Sequence, residues 1–253
     1  MQQDKRPTLP EPNALSAEHS ERVNDFIRGR IRQAGGSISF AEYMQHALYA
    51  PGLGYYAAGS TKFGASGDFM TAPEVSPIFG RVLARQCAEV LSQVKCGSIL
   101  EYGAGSGKLA VDILRLLEGL DALPEHYKIL EVSGDLQKRQ AEYLEQQLPQ
   151  LVSRVSWIQS PPDHHVGIII ANEVLDALPV ERFVRTADGV LQHRVVLDGD
   201  EFRIDQAPAP KNLSTAVFAV EAALGDRLPD GFVSEGSRGL PGWISALSDS
   251  LME

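Results

Sequence analysis

The stretch Gly97-Ser98-Ile99-Leu100-Glu101-Tyr102-Gly103-Ala104-Gly105-Ser106-Gly107-Lys108-Leu109-Ala110-Val111-Asp112 joins a short apolar run to three alternating glycines and then to a helical pattern. Residues 98–102 read as a buried strand. Residues 103–107 read as a tight turn that lacks Cβ atoms at alternate positions, so a ligand can approach its backbone closely. Residues 108–120 read as an amphipathic helix with Leu109, Ile113, Leu116 and Leu117 on its inner face and Lys108 as a first-turn residue with a solvated ammonium.

Downstream, residues 127–132 form a second strand candidate, Ser133 caps a helix reaching 148, and residues 155–159 form a third strand. The almost wholly apolar run 166–171 then reads as a central strand covered on both faces, as parallel sheets require. The alternation is βαβαβ, hence an α/β fold. It places Asn172-Glu173-Val174-Leu175-Asp176-Ala177-Leu178-Pro179 at a carboxyl end of the sheet, where ligands bind in open α/β folds.

Upstream, Ser16 is the expected cap of a helix to about 34 whose apolar face carries Val23, Phe26, Ile27 and Ile31. Ser39 and Glu42 have capping-box spacing, and Ile38 with Tyr43 can form a hydrophobic staple. Ser76-Pro77 then starts a long helix with Ile78, Phe79, Val82, Leu83, Cys87, Val90 and Leu91 as core positions. Beyond 180 the periodicity changes. Residues 182–186, 191–197 and 202–205, separated by Asp188-Gly189 and Asp198-Gly199-Asp200, read as hairpins. Pro208 and Pro210 mark a linker, and helices are expected over 214–224 and from Trp243 onward.

With 253 residues, 43% of them hydrophobic, the chain can bury a substantial core. A net charge of −10 argues against a broad nucleic-acid surface and favours a basic partner. Cys87 and Cys96 form no CxxC pair; both read as buried thiols in a reducing compartment. The opening segment lacks the apolar core of a signal peptide, no run is long enough to cross a membrane, and the expected location is cytoplasmic. The six histidines lack metal-ligand spacing, so no metal site is expected.

A P-loop would need glycine at 102 and Ser or Thr after Lys108, and Tyr102 and Leu109 exclude it. A dinucleotide fold prefers G-x-G-x-x-G, which weakens a hydride-transfer reading without removing it. The segment from Glu101 to Gly107 resembles motif I of class I S-adenosylmethionine-dependent methyltransferases. That resemblance implies S-adenosyl-L-methionine as cofactor, with Gly103, Ala104, Gly105 and Gly107 around its methionyl part. It also implies that Glu101 orients the ammonium and Glu131 accepts from both ribose hydroxyls.

Over residues 36–250 the chain is similar to the MidA-type methyltransferases, a family that includes the mitochondrial complex I assembly methyltransferase. The resemblance rests on Ser39-Phe40 with Tyr43-Met44, and on Leu48-Tyr49 with Pro51, Gly54, Tyr55 and Tyr56. It rests further on Gly67-Asp68-Phe69 with Thr71, Pro73 and Glu74, and on Ala171-Asn172-Glu173 with Asp176 and Pro179-Val180. The implied architecture is a disordered 1–15, a helical extension with a cofactor-covering loop over 16–96, and a Rossmann-like core over 97–179. An antiparallel β insertion over 180–207 and a partial helical segment over 208–253 follow.

Family members continue into further strands, so the resemblance implies a sheet whose later strands lie outside this chain. The implied activity is methyl transfer to a protein arginine, with symmetric dimethylation in the mitochondrial relative. A non-catalytic assembly module and a small-molecule methyltransferase remain alternatives. Glu173 and Asp176 are the leading acceptor-side residues and Glu235 is a third candidate. Asn172 is a candidate cofactor contact, Asp68 and Thr71 belong to a loop over the cofactor, and Tyr55 and Tyr56 read as packing. A protein partner offering arginine is expected, and no nucleic acid.

Overall fold

The computed structural model describes residues 13–57 and 71–252, which divide into two units. One comprises Gly59–Leu178 and Ser237–Glu253, the other Met1–Ala58 and Pro179–Gly236. The expected segment 16–96 is thus shared between them.

The first unit holds the glycine stretch. Strands β2 (Ser98–Tyr102), β3 (Tyr127–Leu130), β4 (Val155–Ile158) and β5 (Gly167–Ala171) form a parallel sheet in the order β4-β3-β2-β5. The chain steps outward from β2 through β3 to β4 and returns to pair β5 on the other side of β2. The strand order therefore reverses beside β2, and the crevice at such a reversal is where α/β sheets receive ligands. Two helices connect these strands, α5 (Lys108–Gly119) and α6 (Gly134–Gln147), the latter capped by the Ser133 hydroxyl.

Ile99, Tyr127, Ile129 and Ile170 point to one face of the sheet, where they join Ala84, Cys87, Leu109, Ile113, Leu114 and Leu117 in a continuous core. Strand β5 differs from the expectation. It is the edge of this four-stranded sheet and mostly half-buried rather than covered on both faces. Its entry is nonetheless tightly specified: at Gly167, with φ +128°, a Cβ atom would fall on the Ser98 carbonyl oxygen.

Helix α4 (Pro77–Leu91), capped by Ser76 with Pro77 at its first position, departs further from the sequence reading. Its buried residues are Gly80, Ala84 and Cys87, while Ile78 and Val82 are 66% and 59% exposed and Phe79 and Val90 also face solvent. The reason is close helix packing. A Cβ at Gly80 would stand 2.6 Å from Asp112 Cβ on α5. Small residues let α4 approach α5 along their own stripe and turn the larger apolar side chains outward, where Ile78 and Val82 with Leu116 line an open groove of about 450 Å³. Cys96, at φ +57°, is exposed rather than buried.

In the other unit, α1 (Ala14–Gln33) begins one turn earlier than expected, because Asn13 rather than Ser16 caps it; the Asn13 side chain accepts from the Ser16 N–H. The capping box of α2 (Phe40–Tyr49) is formed by Ser39 and Glu42 as the spacing predicts. The expected hairpins are β6 (Glu181–Thr186), β7 (Gly189–Asp198) and β8 (Glu201–Pro208). They belong to a five-stranded antiparallel sheet completed by β1 (Ser37–Ser39) on β7 and β9 (Val233–Gly236) on β6. Ile27, Ile31, Ile38 and Val195 form one core of this unit, and Phe183 and Val190 with Leu213 and Val217 of α7 (Lys211–Leu224) form another. No described helix is long and apolar enough to cross a membrane.

Candidate functional site

Because the four core strands are parallel, the residues following each of them collect at one edge of the sheet. The turn after β2 is held open by backbone geometry. Gly103, Gly105 and Gly107 have φ of +62°, +56° and +83°, values that residues with a Cβ atom adopt only under strain. A Cβ at Gly103 would meet no atom nearer than Val174 Cγ2 at 3.7 Å. Among the described residues nothing crowds the turn at Gly103, which leaves room there for a ligand. Ala104 is buried within it, and its carbonyl accepts from the Gly107 N–H at 2.8 Å.

Glu101 is 2% exposed and accepts a 2.7 Å hydrogen bond from the Tyr127 hydroxyl, itself fully buried. Burial raises its pKa to about 7, and the tyrosine hydrogen bond only partly offsets that. A cation near such a carboxyl would favour its ionised form. Glu131, after β3, is 7% exposed; its Oε1 accepts from the Ser133 N–H at 2.9 Å and its Oε2 from Gln140 at 3.3 Å. A carboxylate braced in this way is fixed at the strand end and has the acceptor chemistry that a diol requires. These residues could hold S-adenosylmethionine: glycines that expose backbone at the turn, a buried acid at the end of β2 and a braced acid at the end of β3.

Residues 172–178 follow β5. Val174 touches the space over Gly103, so the segment borders the glycine turn. Within it Glu173 takes the left-handed conformation at φ +53°, uncommon for a glutamate, and both Glu173 and Asp176 are exposed. Among the described residues neither has a hydrogen-bond or ion-pair partner. Asn172 is half-buried at the strand end. Glu235 lies on β9, in the other unit, opposite Arg182 of β6.

The short helix α3 (Ala72–Val75), led by Thr71, also borders the turn. The Ser106 hydroxyl donates to the Glu74 carboxylate, and Lys108 Nζ donates to the Glu74 carbonyl at 2.8 Å. Lys108 is therefore a tether to α3 and not the solvated residue expected. Asp68 lies outside the described residues. Tyr49, Tyr55 and Tyr56 pack on one another, with ring centroids 5.5 and 5.1 Å apart. No group of His, Cys, Asp and Glu able to hold a metal occurs among the described residues. Gln140 and Tyr127, the polar partners of the two buried acids, carry no motif and escape a reading by spacing; an isolated polar residue on the apolar face of α6 was their nearest signal.

Residues 82–253 match a family described as "Putative S-adenosyl-L-methionine-dependent methyltransferase". The chain belongs to this methyltransferase family. The protein arginine methyltransferase NDUFAF7 of Danio rerio, a mitochondrial protein, is 36% identical over 65% of this chain and 44% of its own length. The mitochondrial homologue of Caenorhabditis elegans is 30% identical over 79% of this chain and 52% of its own. The chain spans about half the length of these relatives. A crystal structure from Burkholderia thailandensis bound to S-adenosyl-homocysteine superposes with a TM-score of 0.88 at 35% identity, covering 96% of this chain and 63% of that one. The Rossmann-like class I methyltransferase fold and the S-adenosylmethionine dependence of the family are thereby established. The cytoplasmic expectation is corrected: the curated relatives are named mitochondrial proteins, which overturns a placement that rested on the lack of a signal-peptide core and of a membrane-spanning run.

Proposed function

We propose that the chain transfers methyl groups from S-adenosylmethionine to an arginine side chain of a protein. The observation that carries this reading is the position of residues 172–178 at the glycine turn, with Glu173 in a strained left-handed conformation and Glu173 and Asp176 both exposed. The names of the curated relatives, protein arginine methyltransferases, support the acceptor class.

Bound S-adenosylmethionine supplies an electrophilic methyl group on a sulfonium. Gly103, Ala104, Gly105 and Gly107 present bare backbone to its methionyl part, Glu101 pairs with the ammonium, and Glu131 accepts from the ribose hydroxyls. Asn172 offers both a donor and an acceptor at the strand end, and Thr71 leads the short helix that borders the turn. Glu173 and Asp176 hold the planar guanidinium by charge-assisted hydrogen bonds and keep one nitrogen in line with the methyl group. One of the two carboxylates would accept the single proton that the nitrogen loses as it becomes methylated.

The test is incubation of the chain with cofactor and arginine-containing proteins, followed by mass spectrometry for methylarginine. Glu173→Gln should leave cofactor affinity within about twofold and lower turnover by about 100-fold. Unchanged turnover would remove Glu173 from the acceptor site. Saturable cofactor binding without methyl incorporation into any acceptor would leave a non-catalytic assembly module.

A further inference from the structure

Gln140 sits on α6 with no exposed surface, an unusual place for an amide whose polar atoms lose water on burial. Its amide joins β4 to the glycine turn and to the acid at the end of β3. The Trp157 indole N–H, on β4, donates to Gln140 Oε1 at 2.8 Å. An indole can only donate, so this bond decides which end of the amide is oxygen and which is nitrogen. The amide nitrogen, with two hydrogens, then faces two acceptors: the Gly105 carbonyl at 3.0 Å and Glu131 Oε2 at 3.3 Å. Gln140 also packs beneath the turn, its Cα lying 3.6 Å from where a Cβ of Gly107 would be.

We infer that Gln140 is the positioning residue of the ribose site: oriented by Trp157, it ties the glycine turn to Glu131 and holds that carboxylate at the angle needed to accept from both ribose hydroxyls. The Ser133 N–H anchors one carboxylate oxygen and Gln140 the other. Without Gln140 the carboxylate loses its Oε2 contact with α6 and the glycine turn, and its angle toward the hydroxyls is less closely fixed. This inference rests on the reading of Glu131 as the ribose acid.

The experiment is calorimetric titration of the chain with S-adenosylhomocysteine and with its 2′,3′-dideoxyribose analogue, whose affinity ratio measures hydroxyl recognition. Glu131→Gln should collapse that ratio. Gln140→Met, of similar volume but without the amide, should reduce it about tenfold, as expected for losing one hydrogen bond to a charged group, while the dideoxy analogue binds within about threefold of wild type. Trp157→Phe, which leaves Gln140 in place but removes the donor that anchors its amide oxygen, should reduce the ratio in the same direction by about threefold. It also decides the matter if Gln140→Met fails to fold.

An unchanged ratio in both Gln140→Met and Trp157→Phe, with the ratio collapsed in Glu131→Gln, would overturn the role of Gln140 alone. So would equal weakening of both ligands, which marks a structural part only. A ratio retained in Glu131→Gln would remove Glu131 from the ribose site and the role of Gln140 with it.

Discussion

A glutamate and a glycine two positions apart show how much of the site depends on single backbone and charge states. Burial lifts Glu101 to about 7 from an ordinary value of 4.5. The folded chain therefore keeps a proton that the unfolded chain releases between those values. The stability linked to that proton is fully present below pH 4.5 and is lost as pH rises through 7, an effect on the order of 3 kcal/mol. Glu101→Gln retains an acceptor for the Tyr127 hydroxyl but cannot ionise. In urea unfolding of the ligand-free chain it should match wild type at pH 4.5 and exceed it by about 1–3 kcal/mol at pH 8; parallel pH profiles would contradict the assignment. The same substitution should weaken cofactor binding at least tenfold if the carboxylate meets the ammonium. For Gly103→Val, a branched side chain at φ +62° costs about 1–2 kcal/mol of folding stability and fills the space above the turn. Titration with S-adenosylhomocysteine should then detect no saturable binding by the folded variant, and wild-type affinity would refute the placement.

At the scale of elements, α4 separates what a helical pattern states from what packing decides. Its apolar residues are numerous enough that either of two faces can be read as core. The structure buries the narrow one, because Gly80 permits an approach to α5 that a larger residue would block. Gly80→Ala should therefore destabilise the chain by about 1–3 kcal/mol through overpacking against Asp112, whereas Ile78→Ala should change stability by no more than about 0.5 kcal/mol. Thermal or urea unfolding of the two variants checks the order, and the reverse order would restore the face suggested by the pattern. The core strands, the Ser39 capping box and the hairpins were legible because each is specified by residues close in sequence. Strands β1 and β9 were not, since their pairing partners on β7 and β6 are remote in sequence and neither strand alone shows alternation long enough to register. The edge position of β5 was hidden for a related reason: an apolar run states that a strand is buried somewhere but not which neighbours it has. The Gln140 network was invisible because Gln140 and Trp157 are ordinary residues until folding brings β3, β4, α6 and the turn together.

For the whole molecule, the division into two units separates the proposed cofactor contacts from part of the hydrophobic core. Glu101, the glycine turn, Glu131, Gln140 and residues 172–178 all lie in Gly59–Leu178, while Ile31 anchors a core built from α1, β1 and β7 in the other unit. Each unit has its own buried cluster, so a cavity in one removes packing that the cofactor residues do not share. Ile31→Ala should cost about 2–5 kcal/mol, a value set by how far the neighbouring Ile27, Ile38 and Val195 can collapse into the space. In the fraction that remains folded, S-adenosylhomocysteine should bind within about twofold of wild-type affinity. Saturating ligand should still raise the unfolding midpoint, because binding stabilises whichever state contains the site. Leu114→Ala, a deletion of similar size beneath the glycine turn's own helix, should lower both stability and affinity. Equal loss of affinity in the two variants would show that the cofactor contacts depend on the integrity of the whole chain, whereas the expected difference would confine them to the parallel sheet and the helices that cover it.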